Sequence, residues 1–319
     1  MTIARSQLIS LDVTPYYHCV SRCVRRSFLC GEDSVTGKSY EHRRDWLESR
    51  ILKLATIYCI DICAYAVMTN HYHLVAHVNR SKAESLSTFE VIERWQQEHH
   101  LPWLIQRFVK RQLSCKAEIK RCHQIIQQWR ERLYSLSWMM KELNFNIALQ
   151  ANREDHCTGH FWEGRFKSYA LLDEAALLAA MTYTDLNPVR AKIAETPETS
   201  QYTSLKKRLD ALEEHQPTPH GLYPFIGDRH PEQPAGIPFR LSDYIEWVDF
   251  TGRQLRQDKC GYISQDQPAI LTRLSLSQTK ALELVTHLER RRKRWIGSPG
   301  HLLLAKQRLN KKRIDGLAI

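Results

Sequence analysis

The sequence has no apolar run approaching the ~18 residues that a membrane-crossing helix requires, and no cleavable hydrophobic segment opens it. A soluble, cytoplasmic chain is the expectation. Its nine cysteines (Cys19, Cys23, Cys30, Cys59, Cys63, Cys115, Cys122, Cys157 and Cys260) are odd in number and contain no Cys-x-x-Cys pair. That argues against a fully paired disulfide framework and against a zinc knuckle, and favours reduced, structural thiols. Acidic residues are the scarcer charge, 35 Asp and Glu against 46 Lys and Arg, so the net charge is +11 and the isoelectric point is about 9.2. A polyanionic partner follows from that balance.

At 319 residues the chain has room for about two domains of ~150 residues. The basic excess is concentrated near the end: residues 287 to 313 carry ten Lys or Arg against Glu289 alone. Arg291 and Arg292 lie within this run as candidate DNA contacts. Such a segment neutralises phosphates without reading sequence; the competing description is a solvated helical face that keeps the protein in solution.

The first half mixes elements. Tyr16 to Arg22 is rich in β-formers and reads as a strand, followed by a basic loop with Arg25 and Arg26. Leu47, Ile51, Leu54, Ala55 and Tyr58 then recur at steps of three and four, which predicts a helix within residues 39 to 58. Ile60 to Met68 is apolar on both faces, as a central strand should be, and Asn70 separates it from a second strand over Tyr72 to Val78. Residues 90 to 133 form a charged, Gln-rich helical insert with Trp95, Trp103, Phe108 and Trp129, either a packed hairpin or an aromatic and basic clamp for single-stranded bases. An amphipathic helix through Leu136, Met140, Leu143 and Ile147, a strand over Gly164 to Leu171, and a helix from Glu174 to about Asn187, capped by Asp173 and stopped by Pro188, complete this half. The order is that of an α+β fold close to the ferredoxin-like arrangement.

His71 and His73 stand two apart at the start of a strand, so both leave the same face, a geometry suited to sharing a divalent ion. Tyr72 between them points to the opposite face and reads as packing. His77 lies ~13 Å from His71 along the strand and reads as a polar neighbour. Tyr183 and Asn187 are four residues apart on one helical face. A tyrosine hydroxyl beside a metal-bound phosphate is a nucleophile; the plainer description is a core aromatic and a helix-end amide.

Three blocks decide between them: Tyr65-Ala66-Val67-Met68-Thr69-Asn70-His71-Tyr72-His73-Leu74, Phe161-Trp162-Glu163-Gly164-Arg165-Phe166-Lys167-Ser168, and Tyr183-Thr184-Asp185-Leu186-Asn187-Pro188-Val189-Arg190-Ala191. Together they resemble the REP-associated tyrosine transposases, within the single-tyrosine HUH class, over residues 14 to 79 and 135 to 205. The resemblance implies a ferredoxin-like catalytic domain acting on single-stranded DNA at hairpins formed by palindromes. It implies that His71, His73 and Asn187 hold Mg²⁺ or Mn²⁺ and that Tyr183 attacks the scissile phosphate, leaving a 5′-phosphotyrosine and a free 3′-hydroxyl. Arg22, Arg25, Arg165 and Lys167 fall in matching segments as phosphate-positioning candidates. Members of the wider class act as dimers or monomers, so the homo-oligomeric state stays open, and a nucleoid-associated location is expected.

The sequence departs from that pattern in three places. Thr69 stands where proline is common, the insert is long, and residues 206 to 319 exceed the minimal catalytic unit. The expected organisation is a catalytic domain over 1–205, a Pro-rich linker over 206–240 with its prolines from Pro217 to Pro238, and a basic helical region over 241–319. In that last region Leu241 to Leu255 and Ser275 to Trp295 read as helices, the second opened by Ser275 and Gln278 in capping-box spacing. A non-cleaving hairpin DNA- or RNA-binding regulator derived from a transposase is the alternative function.

Overall fold

The structure is a computed structural model that describes residues 8–24, 29–33, 37–227, 235–255, 269–288 and 293–318. In chain order the elements are β1 (Tyr16–Arg22), α1 (Arg43–Ile57), β2 (Ile60–Val67), β3 (His71–Val78), α2 (Arg80–Ser85), α3 (Thr88–Gln96), α4 (Trp103–Val109), α5 (Lys116–Leu133) and α6 (Leu136–Glu154). There follow β4 (Lys167–Leu171), α7 (Glu174–Asp185), α8 (Asn187–Arg190), α9 (Ser204–Glu213), α10 (Leu241–Leu255), α11 (Ala269–Arg273), α12 (Gln278–His287), β5 (Trp295–Gly297), α13 (Pro299–Arg308) and β6 (Gly316–Ala318).

The strands form one sheet in the order β2-β3-β1-β4-β5-β6. Neighbours among the first four are antiparallel, and β5 and β6 add in parallel at the β4 edge. Without that addition, β1, β2, β3 and β4 and the crossovers through α1 and α6 make a ferredoxin-like α+β unit.

Alternation along the strands sorts the core into two. Tyr17, Cys19, Tyr72, Leu74 and Ala170 pack against Leu47, Ile51 and Leu54 of α1 and Met140, Leu143 and Ile147 of α6. Val20, Val75, Tyr169 and Leu171 leave the other face and meet α7, together with Tyr244, Trp247 and Val248 of α10 and Leu284 and Val285 of α12. A two-residue period thus yields a helix–sheet–helix sandwich whose second helical layer comes from the far end of the chain. The helix carrying Tyr183 is not one of the two ferredoxin crossovers. It follows β4 and covers the opposite face.

Helices α2, α3, α4 and α5 are the insert between β3 and α6. Ser87 and Glu90 form a reciprocal cap at its second helix, while Trp95 and Trp129 are buried and stack with centroids 5.4 Å apart. Of the two sequence descriptions, packing accounts for these two tryptophans; Trp103 is exposed, under the Arg107 guanidinium at 4.7 Å. Arg50 of α1 clamps the insert through two bonds to Glu98, at 2.9 and 2.5 Å.

Several element boundaries differ from expectation. The fourth strand begins at Lys167 rather than at Gly164. The helix expected to run to Asn187 breaks at Leu186, and Pro188 lies in the first turn of α8, where its missing N–H costs nothing. Instead of a helix from Ser275 to Trp295, α12 starts at Gln278 with Ser277 as its cap, accepting from the Lys280 N–H, and Trp295 is in a strand. Ser275 has a positive φ of 52°, a conformation that cannot start a helix. Within the expected linker, residues 204–213 are helical and the Tyr223 N–H donates to Ile62 O at 2.8 Å. Of the basic run, Lys293 pairs with Asp315 at 2.9 Å, and Arg308 donates to the Asp12 carbonyl at 2.9 Å.

Candidate functional site

The β2–β3 hairpin is closed by the Met68 N–H donating to His71 O at 2.8 Å. From there the strand period sends His71 and His73 to the α7 face and Tyr72 to the α6 face, where its hydroxyl donates to Asn144 Oδ1 at 2.6 Å. Tyr72 is packing, as its position implied. On the adjoining strand Arg22 lies opposite His71, and Val20 lies opposite both His73 and Lys167. His77 turns to Asp61, 3.0 Å away, and stacks on Tyr223.

Helix α7 brings the distant half. Asp173 opens it, its carboxylate accepting from the Ala176 N–H at 2.9 Å. At its other end Tyr183 meets the His73 ring edge-on, centroids 5.5 Å apart, and the Asn187 amide nitrogen lies 3.1 Å from His73 Nε2. The structure therefore gathers His71, His73, Tyr183 and Asn187 from positions more than a hundred residues apart.

Hydrogen bonding fixes the tautomers. His71 Nδ1 is 2.6 Å from Asn70 Oδ1; that oxygen only accepts, so Nδ1 carries the proton and Nε2 keeps its lone pair. The Asn187 N–H donates to His73 Nε2, so the His73 proton is on Nδ1 and is donated to His18 Nε2 at 3.1 Å. His18 then carries its own proton on Nδ1, which is buried without a hydrogen-bond partner. Burial holds all three rings neutral: His18 is lowered to about 3, His71 to about 4 with help from Arg22 and Lys167, and His73 well below its ordinary value by burial and its histidine neighbours.

Two side chains that the sequence reading did not single out complete the neighbourhood. Arg190 places its guanidinium 4.4 Å from the Tyr183 ring centroid and donates to Thr286 O at 3.1 Å, while its Nη1 is buried without a partner. Among the described residues no carboxylate pairs with it. Asp185 accepts from Ser204 Oγ at 2.6 Å, Leu205 N–H at 3.1 Å and Tyr244 Oη at 2.6 Å, tying the end of α7 to α9 and α10. Its burial raises the carboxyl to about 6. The signal for His18, likewise not singled out, was its place two residues from Val20 on the same strand face; for Asp185 it was an acid at the C-terminal end of a mostly apolar helix, where the dipole disfavours one.

The remaining expected contacts divide. Arg22 and Lys167 border the histidine face. Arg165 does not: it precedes β4 and lines a cleft against α6. Arg25, Arg291 and Arg292 lie outside the described residues.

Whether the site suits a divalent ion rests on its donors. Among the described residues no group of three His, Cys, Asp or Glu side chains is placed to hold a metal, so any ion there depends on two imidazoles and the Asn187 amide. Of the two imidazoles, His71 leaves its Nε2 lone pair open, whereas His73 Nε2 accepts from the Asn187 amide; the set fits an ion once the Asn187 amide turns over, which frees that nitrogen and brings the amide oxygen to the same point.

No protein-family model and no curated protein matches the sequence. Among solved structures the chain is similar to one described as a REP-associated tyrosine transposase bound to a REP hairpin, at 15% identity and a TM-score of 0.38, over 76% of this chain and 99% of that one. Among the described residues no helix is long and apolar enough to cross a membrane.

Proposed function

We propose that the protein cleaves and rejoins single-stranded DNA at hairpins through a covalent tyrosine intermediate, with Mg²⁺ or Mn²⁺ held by His71, His73 and Asn187. The observation that carries this reading is the convergence of Tyr183 and Asn187 on His73 beside Arg190, a cation with no carboxylate partner among the described residues. Arg190 is half-buried, and its one nitrogen that is shielded from water without a partner gains a partner when an anion joins it during function. A DNA phosphate is that anion.

In this reading the Tyr183 oxygen forms a bond to phosphorus as the bond to the 3′-oxygen breaks; the tyrosine gives up its proton and the leaving oxygen acquires one. The DNA 5′ end is then esterified to Tyr183, and a 3′-hydroxyl of another strand reverses the step. Arg190, Arg22 and Lys167 stabilise charge on the nonbridging oxygens. His18 and Asn70 hold the two imidazoles in one tautomer, and the ion, when bound, supplies Lewis-acid stabilisation to the phosphate. Asp185 fixes the helix end on which Tyr183 and Asn187 are placed.

The test is incubation of 3′-end-labelled single-stranded hairpins with Mn²⁺ or Mg²⁺, followed by denaturing electrophoresis. A labelled protein adduct that is absent from Tyr183→Phe supports the mechanism. Binding without any adduct supports the regulatory alternative, and free cleavage products with no attached protein point to hydrolysis.

A further inference from the structure

We infer that the cleft between α6 and the segment leading into β4 is a nucleobase pocket, which takes an unstacked base from the single strand next to the scissile phosphate. The cleft has a volume of about 620 Å³ and is walled by Phe145, Phe161, Trp162 and Phe166, with Lys141 and Arg165 as its cations and no carboxylate in its lining. Phe145 is 62% exposed and stands at the mouth of this cleft, so that its ring and the cleft make one continuous apolar surface. The opposite wall is held in place: Trp162 Nε1 donates to Asn144 O at 2.7 Å, and the Phe161 and Trp162 rings meet edge-on at 5.0 Å. Phe145 and the half-buried Trp162 offer the ring surface, with Phe161 and Phe166 buried behind them, and aromatic surface beside cations, without acids, matches the chemistry of a DNA base and its phosphate.

Position supports the same occupant. The segment is pinned to the end of β1 by the Glu163 N–H donating to Arg22 O at 2.9 Å and by a bridge between Cys23 and Trp162. Arg22 lies opposite His71, and the segment runs on into Lys167 at the histidine face. A strand whose phosphate sits at Tyr183 passes Arg22 and Lys167 and reaches the cleft by turning round this end of the sheet from its α7 face to its α6 face. This inference rests on the proposed DNA reading and adds to it a site that grips a base away from the reacting phosphate.

The test uses the full-length chain carrying Tyr183→Phe, so that binding is read without cleavage. Affinities are measured by fluorescence anisotropy for a hairpin with a six-nucleotide single-stranded flank and for the same hairpin without it. The expected result is that Phe145→Ala weakens the flanked hairpin roughly tenfold, as loss of one stacked base does, and leaves the blunt hairpin unchanged. Arg165→Glu behaves alike, and 5-bromodeoxyuridine in the flank photo-crosslinks to this cleft. Equal weakening of both DNAs, or none, overturns the pocket while leaving the DNA reading intact. So does a Phe145→Ala chain that only changes its oligomeric state, which would make the cleft an interface between copies. If neither hairpin binds the parent protein, the pocket and the DNA reading fall together.

Discussion

Arg190 is the residue from which the site's chemistry is most sharply tested. It stacks over Tyr183, has one backbone acceptor and leaves one nitrogen buried without a partner. Replacing it by glutamine should slow adduct formation on the order of 10²-fold, the usual cost of losing one preorganised donor to a transition-state oxyanion. Hairpin affinity should fall only a few-fold and the melting temperature should barely move. Single-turnover rates, binding isotherms and calorimetry on one preparation separate these effects; a parallel loss of stability would make Arg190 a packing residue. The sequence pointed to Arg190 only as part of a quoted block, because an arginine one turn beyond a helix break carries no sign of which ring it will cover.

At the scale of elements, the ferredoxin-like unit is tied together by Arg43, whose fully buried side chain joins α1 to the end of α6. It donates to Glu154 at 2.7 Å and to Asp155 at 2.5 Å. Replacement by methionine keeps the stem's packing but removes the cation that Glu154 and Asp155 share, leaving Glu154 with Lys38 and His42 at its partly wet side. The expected loss is about 2 kcal/mol, below the ~3–5 kcal/mol of a fully buried pair, and chemical denaturation measures it. Burial alone would raise the Glu154 carboxyl, but the bond and charge of Arg43, with a further contribution from His42, outweigh it and hold the group below the ordinary value of about 4.5. A depressed acid contributes stability above that value and loses it as the pH falls through the folded-state value. The native protein should therefore lose stability below about pH 4.5 more steeply than Arg43→Met. The reverse order of slopes would refute the pairing.

The whole molecule is a sandwich completed by its own C-terminal third. Trp247 Nε1 donates to Thr182 Oγ1 at 3.0 Å, Tyr244 reaches Asp185, and β5 pairs with β4 through Ala170 and Leu171. A chain ending at residue 205 would expose the apolar outer face of α7 and leave β4 as a bare edge, a template for aggregation. Gel filtration and proton–nitrogen NMR of residues 1–205 should show aggregated or loosely packed protein. A monodisperse fragment with dispersed resonances would show instead that the C-terminal third is dispensable for folding.

Local periodicity determined a good part of this. The alternation of β1 and β3, the helical spacing of Leu47, Ile51 and Leu54, and the two-residue step between His71 and His73 are properties of short segments, and backbone geometry turns each into a face. The sequence by itself therefore placed the histidines on one side of a strand and Tyr72 on the other. It did not determine that His18 would lock the His73 tautomer, that Asp185 would anchor the Tyr183 helix to α9 and α10, that Arg165 would face α6 while Lys167 faced the histidines, or that residues near the C-terminus would extend the sheet. Those depend on contacts between segments far apart in the chain, where register, a helix break at Leu186 and burial by distant side chains decide the partner. Tertiary packing alone made one site from the His-x-His strand and the Tyr183 helix.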